Sequence, residues 1–494
     1  MLTDPEHQPL TQPTVVRSDQ VASTFGWDTV FAIRIRDVNT AIRNASPAPY
    51  PAVFAHPYQS STLGAVPFRG SFGPWQMCSG GSGDIVRFRV PLTTLEFDIP
   101  DEHGKPVTTA LGPAQAVIEV RLSFLPHEGG EQRKVDGKLH KLTVASRAHD
   151  PQQVPVTLAA LEFGLDPHDE TIVIAARSAL TQWFDENLHD FTHIFSLVDI
   201  DRKADRGQFE WLLPTYTSYA YADNPASPDD SILAILCMTQ NRSPDGLFPE
   251  VSEYAIPPGA RSGFLISKAR LLEELMLPTM SFMFEGAKPG DFVVSDSRDE
   301  IRLASSMLPV KAVKGRDGKA YPTELHAFYL KVDGEHISIE ATTKVVISPD
   351  IYALCSSRSK YRLQLKNRAD GKQIIDYVAE GDPVTHYSYS EELATQLAKG
   401  ALAPIGVLIG FAITVLTEGA GTMVGLMIAA LLIGASEGTP DLIASIGQTS
   451  APSLDMLVLN TTDPIQWSGS NDFKLTWVGI NDSLQLAGDP GFSS

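Results

Sequence analysis

Gly80-Gly81-Ser82-Gly83-Asp84 sets a serine among glycines, the composition of a nucleophile elbow. The second glycine is missing from the offset that would expose the hydroxyl on a strained strand-to-helix turn, so the segment reads as a loop entering a strand. Gly286-Ala287-Lys288-Pro289-Gly290 offers a lysine in Gly-rich surroundings, but Pro289 stands where a phosphate-cradling loop must start its helix. Asp199, Asp201 and Asp205 ahead of Gly207 are spaced like calcium ligands, yet Lys203 fills the fifth position and the obligatory glycine of the sixth is absent. His189 and His193 fall one helical turn apart without a third ligand nearby. Cys78, Cys237 and Cys355 are odd in number and far apart, which gives neither a disulfide framework nor a metal spacing and suits small buried hydrophobes. With every constellation incomplete, the chain is expected to be non-enzymatic, with no catalytic residue, metal or cofactor.

Charge narrows the partners. The 494 residues carry 39 Lys and Arg against 59 Asp and Glu, a net charge of -20, which repels a nucleic-acid backbone. An anionic bilayer is no better served, since each basic residue near its surface contributes only about 1 kcal/mol; peripheral membrane contact would rest on apolar side chains or a local cluster. Met1 to Arg17 is rich in Pro, Gln and Thr and lacks the apolar core of a secretory signal. The expectation is a disordered extension over residues 1–20 and a cytoplasmic protein, released, if at all, by another route.

Periodicity suggests how the elements are arranged. Thr24 to Ile42 wound as a helix puts Trp27, Val30, Phe31, Ile35, Val38 and Ile42 on one face, with Arg34 at its edge, free to snorkel to water or to meet a lipid phosphate. Val86, Phe88 and Val90 alternate with Arg87 and Arg89, as do Ile118, Val120 and Leu122 with Glu119 and Arg121, the pattern of half-buried strands. A second helix from about Ile174 to Val198 carries Trp183 on its apolar side. After a connector from Asn241 to Pro258, Phe264 to Leu277 lines up Leu265, Ala269, Leu272 and Met276 until Pro278 stops it. Phe328, Leu330 and Val332, the turn Asp333-Gly334, then Ile337, Ile339 and Ala341 predict a hairpin. A helix near Ser388 with Glu391 as its capping box precedes strands from Leu454 to Leu486. The order helix, strands, helix, strands occurs twice, predicting an α+β fold of two modules, residues 21–258 and 259–494, each with long helices packed on a strongly curved antiparallel sheet.

Ala401 to Ser436 is broken by a single charge, Glu418, into two uncharged arms near membrane-spanning length. Gly406 with Gly410 and Gly421 with Gly425 are spaced for close helix contact. Two readings stand: a hairpin that inserts into a bilayer, or a helix pair buried within the protein or between protomers.

Four segments carry a family resemblance. Thr24-Phe25-Gly26-Trp27-Asp28 through Ile42, Trp75-Gln76 leading into Gly80 to Ile85, Phe264-Leu265-Ile266-Ser267-Lys268 through Pro278, and Leu484 to Pro490 fall in the same order as in accessory proteins encoded beside clostridial neurotoxins and insecticidal toxins. The chain resembles that group, which belongs to the tubular lipid-binding (TULIP) superfamily with the bactericidal/permeability-increasing protein. The resemblance implies two TULIP-like modules, an apolar lumen and affinity for acyl lipid, phospholipid or phosphoinositide. Helical phase then assigns the lumen walls to Trp27, Val30, Phe31, Arg34, Ile35, Val38, Trp183, Leu265, Leu272 and Met276. The leading expectation is a lipid-binding accessory of a toxin system. The alternatives are a structural or chaperone partner of toxin-complex proteins without lipid, and a membrane-inserting protein built on residues 401–436.

Overall fold

Val30, Phe31, Ala32 and Ile33 are consecutive, apolar and almost wholly removed from solvent, and a chain can bury four neighbours in a row either in a helix core or in a strand covered on both faces. The computed structural model shows the second arrangement. It describes residues 21–492 apart from 61–63, 102, 128–137, 165–168, 201–208, 281–283, 285–286, 315–318, 368–372, 399–419, 421–423, 426, 429–430, 432–454 and 472. Thr29–Arg34 is a strand in a six-stranded antiparallel sheet, ordered Pro214–Ala222, Ile232–Thr239, Thr29–Arg34, Ser262–Ser267, Ser483–Asp489, Lys474–Ile480. Phe31 sits opposite Ile235 on one side and Phe264 on the other. Val30, Ala32 and Leu265 pack with Ala234 and Leu236 on one face, while Phe31, Ile33, Phe264 and Ile266 join the main core on the other. The connector before Ser262 lies so close that a Cβ on Gly263 would stand 2.0 Å from the Ala255 carbonyl oxygen. Three strands of this sheet come from residues 21–258 and three from 259–494, so both halves of the chain share it.

Seven strands between Val53 and Phe163 form a second sheet. It is packed against the helix Glu170–Asn187 through Ile172, Ala176, Leu180, Trp183 and Phe184. Asp169 caps that helix by accepting from the Thr171 N–H at 2.8 Å. Leu122–Pro126, Lys138–Val144, Ser196–Ile200 and Ile465–Trp467 make a four-stranded sheet, and eight strands between Phe292 and Tyr389 a fourth. Within the last, Ala320–Asp333 and His336–Ser348 form the expected hairpin, with Phe328, Leu330, Val332, Ile337 and Ile339 buried.

Long helices on strongly curved sheets are not what the chain builds. The described residues form 25 strands in four antiparallel sheets, and their longest α-helix, Glu170–Asn187, has 18 residues. The segment expected to be helical from Thr24 turns helical only at Ile35, in the ten-residue Ile35–Asn44. Phe264 likewise belongs to a strand, and helix begins at Lys268, where the Ser267 Oγ accepts from the Arg270 N–H at 3.3 Å. Beyond the turn Leu188–Asp190 the chain extends into Ser196–Ile200, which parts His189 from His193. Ser390, not Ser388, caps Glu391–Ala398, and Asp455–Thr462 is a helix where a strand was expected. In Thr29–Arg34 and Ser262–Ser267 burial on two faces erases the alternation that separates a strand from a helix.

Residues 1–20, Asp201, Asp205, Gly406, Gly410, Gly421 and most of 401–436 lie outside the described residues. Within that apolar stretch Ala420, Val424, Met427, Ile428 and Leu431 are described as helical, share one face by spacing, and are buried in the main core. Gly425 lies beside the Tyr377 ring. No described helix is long and apolar enough to cross a membrane.

The helix Ile35–Asn44 is pinned by Asn39, whose Nδ2 donates to the Met77 carbonyl at 3.0 Å while its Oδ1 accepts from the Met77 N–H at 2.7 Å. The carboxamide thereby acts as one residue of a missing strand. Asn39→Ala orphans both buried backbone groups, so urea unfolding should register a loss of about 2–4 kcal/mol, against under about 1 kcal/mol for Thr40→Ala on the exposed side.

Candidate ligand-binding crevice

Where the Lys474–Ile480 edge of the central sheet passes the Ile465–Trp467 edge of the four-stranded sheet, the two do not pair. Between them lies a crevice of about 970 Å³, at the upper end of small-molecule sites, about 300–1,000 Å³. Its floor is aromatic. Phe31 meets Trp467 edge-on at 5.9 Å and Phe473 at 6.1 Å between ring centres, and Phe264 supports Phe31 from behind at 5.7 Å. Ile194, Ile465 and Leu475 extend the apolar wall.

The rim is polar and open to water. After Trp467 the chain turns tightly: the Ser470 N–H and Oγ both donate to the Trp467 carbonyl, at 3.1 and 2.6 Å. Gly469, at φ +76°, supplies the left-handed residue of this turn and rests on Ala41 of the first helix. Asn471 is tied to the chain end, its N–H donating to the Pro490 carbonyl and its Nδ2 to the Gly491 carbonyl. Ser468, Gln466, Asp463 and Lys474 complete the rim. Among the described residues, one carboxylate and one ammonium leave it without net charge. The arrangement can surround an apolar body and hydrogen-bond a polar head.

The residues assigned to lumen walls mostly lie elsewhere. Phe31 alone among them lines the crevice. Trp27 is on the opposite side of the central sheet, stacked on Tyr216 at 6.2 Å with its Nε1 donating to the Phe248 carbonyl; Val30 and Leu265 share that face. Ile35, Val38, Leu272 and Met276 fill the main core, as does Trp183 against Phe54 and Phe72. Arg34 pairs with Asp230 at 3.3 Å, and burial pulls its guanidinium below the ordinary value despite that partner. Sequence reasoning missed Trp467, Phe473 and Leu475. A three-residue strand is too short to show a period, and the one available signal was the turn-rich run Ser468-Gly469-Ser470-Asn471-Asp472 beside two aromatics.

No group of three metal-ligating side chains occurs among the described residues. The three cysteines are free and buried, and burial pushes each thiol up, Cys237 to about 12 and Cys355 to about 11, which suppresses thiolate chemistry.

The fold is thus a strand-rich one with an open, aromatic-floored crevice between two sheet edges. The chain belongs to the OrfX-like family, described as Protein OrfX2/OrfX3/P47, which it matches over residues 24–488. It is 30% identical to Protein OrfX3 of Paraclostridium bifermentans over 491 residues, 94% of this chain and 98% of that one. It is 27% identical to Protein OrfX3 of Clostridium botulinum Kyoto/Type A2, with the same coverage of both chains. The solved structure of P47 from Clostridium botulinum A2 shares the fold, with a TM-score of 0.58 at 17% identity over 95% of this chain and 98% of that one.

Beside Ile194 of the crevice wall, His193 is buried, packed edge-on against Phe195 at 4.9 Å, with no hydrogen-bond partner for Nε2 among the described residues. Burial pulls its pKa down from 6.5 to about 4. The unfolded chain therefore binds the proton first as pH falls. The stabilisation is complete above about pH 6.5 and is lost toward pH 4, at most about 3 kcal/mol. Urea titrations at pH 7 and pH 4.5 should show His193→Phe losing about 2 kcal/mol less than the parent between the two; parallel losses would exclude this source of acid sensitivity.

Proposed function

We propose that this chain is a non-enzymatic accessory protein of a bacterial toxin system that holds the acyl part of a lipid in the crevice over Phe31, Trp467 and Phe473. The observation that carries the reading is the aromatic floor at the end of an open cleft of about 970 Å³. Withdrawing about ten methylenes from water at about 0.8 kcal/mol each gives a gross gain of about 8 kcal/mol, far above what Lys474 supplies to a head group at a wet rim. Family membership supports the accessory role, and kinship to the tubular lipid-binding proteins belongs to the same reading.

The test is mass spectrometry of organic extracts from the purified protein. Acyl lipid should copurify with the parent chain, and Phe473→Asp, at a half-buried position near the rim, should lower its content at least tenfold while leaving the circular dichroism spectrum unchanged. A parent protein free of acyl species, or an equal content in Phe473→Asp, would refute the reading and leave the lipid-free structural partner in its place.

A further inference from the structure

The crevice carries a second recognition element, a strand edge. In the antiparallel pair of Ser196–Ile200 with Ile465–Trp467 the Asp199 N–H donates to the Pro464 carbonyl and the Ser468 N–H to the Phe195 carbonyl, each at 2.9 Å. Leu197 faces Gln466 in the same register. Hydrogen-bonded residues alternate along an antiparallel strand, so Pro464, Gln466 and Ser468 face the sheet, and the backbone groups of Ile465 and Trp467 face away from it. The Trp467 carbonyl is taken by Ser470. The Ile465 N–H, the Ile465 carbonyl and the Trp467 N–H remain, and among the described residues none of the three has a partner. They form a donor, acceptor, donor row along one wall.

Across the cleft the protein makes the kind of contact this row would make with a ligand. The Gln373 Nε2 amide donates to the outward-facing Leu475 carbonyl at 3.3 Å. A carboxamide there satisfies a strand carbonyl that no paired strand takes. Asp463 and Lys474 are opposite in charge, and Ser468 and Asn471 are neutral, so among the described residues nothing at the rim favours a phosphate over an uncharged head.

We propose that the edge of Ile465–Trp467 selects ligands whose polar part is an extended chain of secondary amides, read by strand addition, while the apolar part lies on Phe31 and Phe473. The ligand class is an acylated peptide or amide-linked acyl lipid. This rests on the acyl-binding reading above and adds a head-group preference to it. Strand addition supplies affinity through main-chain hydrogen bonds and places alternate side chains toward the floor and the water.

The test uses the full chain, stripped of copurified lipid, in calorimetric titrations with four probes of equal alkyl length. These are an N-decanoyl trivaline amide, the same compound N-methylated at its central amide, decylphosphocholine and decanoate; unacylated trivaline amide is the fifth titrant. The N-decanoyl peptide should bind at least tenfold more tightly than decylphosphocholine and decanoate, and N-methylation, which removes one donor without touching the protein, should cost about tenfold. Equal affinities for all decyl probes would overturn the amide preference and leave the acyl reading intact. Equal binding of the acylated and unacylated peptides would support edge pairing and overturn the acyl reading. Absence of binding by every probe would overturn both.

Discussion

Backbone pairing between Thr29–Arg34 and Ser262–Ser267 is the constraint on which the rest of the molecule depends. It joins the two halves of the chain in one sheet, and because that sheet is covered on both faces, every residue of the Ile232–Thr239 strand is buried. A buried strand has to find all its backbone partners within protein, which fixes its register against both neighbours. The charged end of the sheet is fixed as well. Asp28, 1% exposed, accepts from the Thr239 N–H and Oγ1 at 2.9 and 3.0 Å and pairs with Arg242 at 3.2 Å. Arg242 reaches Glu273, which Arg298 grips from the other side through two hydrogen bonds. Removing Asp28 would leave the Thr239 N–H and hydroxyl without their acceptor and Arg242 with Glu273 alone, so this acidic residue is the end clamp of a strand.

The crevice follows from the same constraint. The central sheet ends at Lys474–Ile480 because its geometry is set from the middle outward, by Phe31 against Ile235 and Phe264. The four-stranded sheet approaches from another direction and ends at Ile465–Trp467. The two edges do not pair, and the crevice lies between them. Edges of this kind are usually protected by short length, charge or a covering loop. Here Ile465–Trp467 is only three residues long, which limits promiscuous pairing, and Gln373 covers part of the opposite edge.

How much of this the sequence revealed depends on how many faces an element buries. The hairpin from Phe328 to Ala341 was legible because one face is wet: Phe328, Leu330 and Val332 are buried while Tyr329 is exposed. Val86, Phe88 and Val90 against Arg87 and Arg89 were legible for the same reason, and Arg87 spends its charge on Glu119 across the pair, at 2.6 Å. The run from Trp27 to Ile33 was not, since with both faces dry the apolar positions fit a helical wheel as well as a strand. The family resemblance survived that error because it rests on which residues occur in which order, not on their secondary structure. Of the proposed wall residues Phe31 alone lines the crevice, since helical phase groups it with Val30 whereas strand geometry sends the two to opposite faces.

That separation has an energetic meaning for the site. Phe31 lies between Phe264 in the packed interior and Trp467 and Phe473 in the crevice wall, so it belongs at once to the core and to the floor of the crevice. The Trp467 Nε1 is buried with no hydrogen-bond partner among the described residues, and His193 carries a second buried nitrogen in the same state nearby. Each such group costs roughly 1–3 kcal/mol. Polar groups left unpaired beside an open cleft lower the stability of this part of the core. A ligand that fills the cleft stabilises the folded state by mass action, about 2.7 kcal/mol at a concentration of one hundred times its dissociation constant. Phe31 also pairs through its backbone with a strand from each half of the chain, opposite Ile235 and Phe264, so the aromatic floor stands on the strand that joins the two halves.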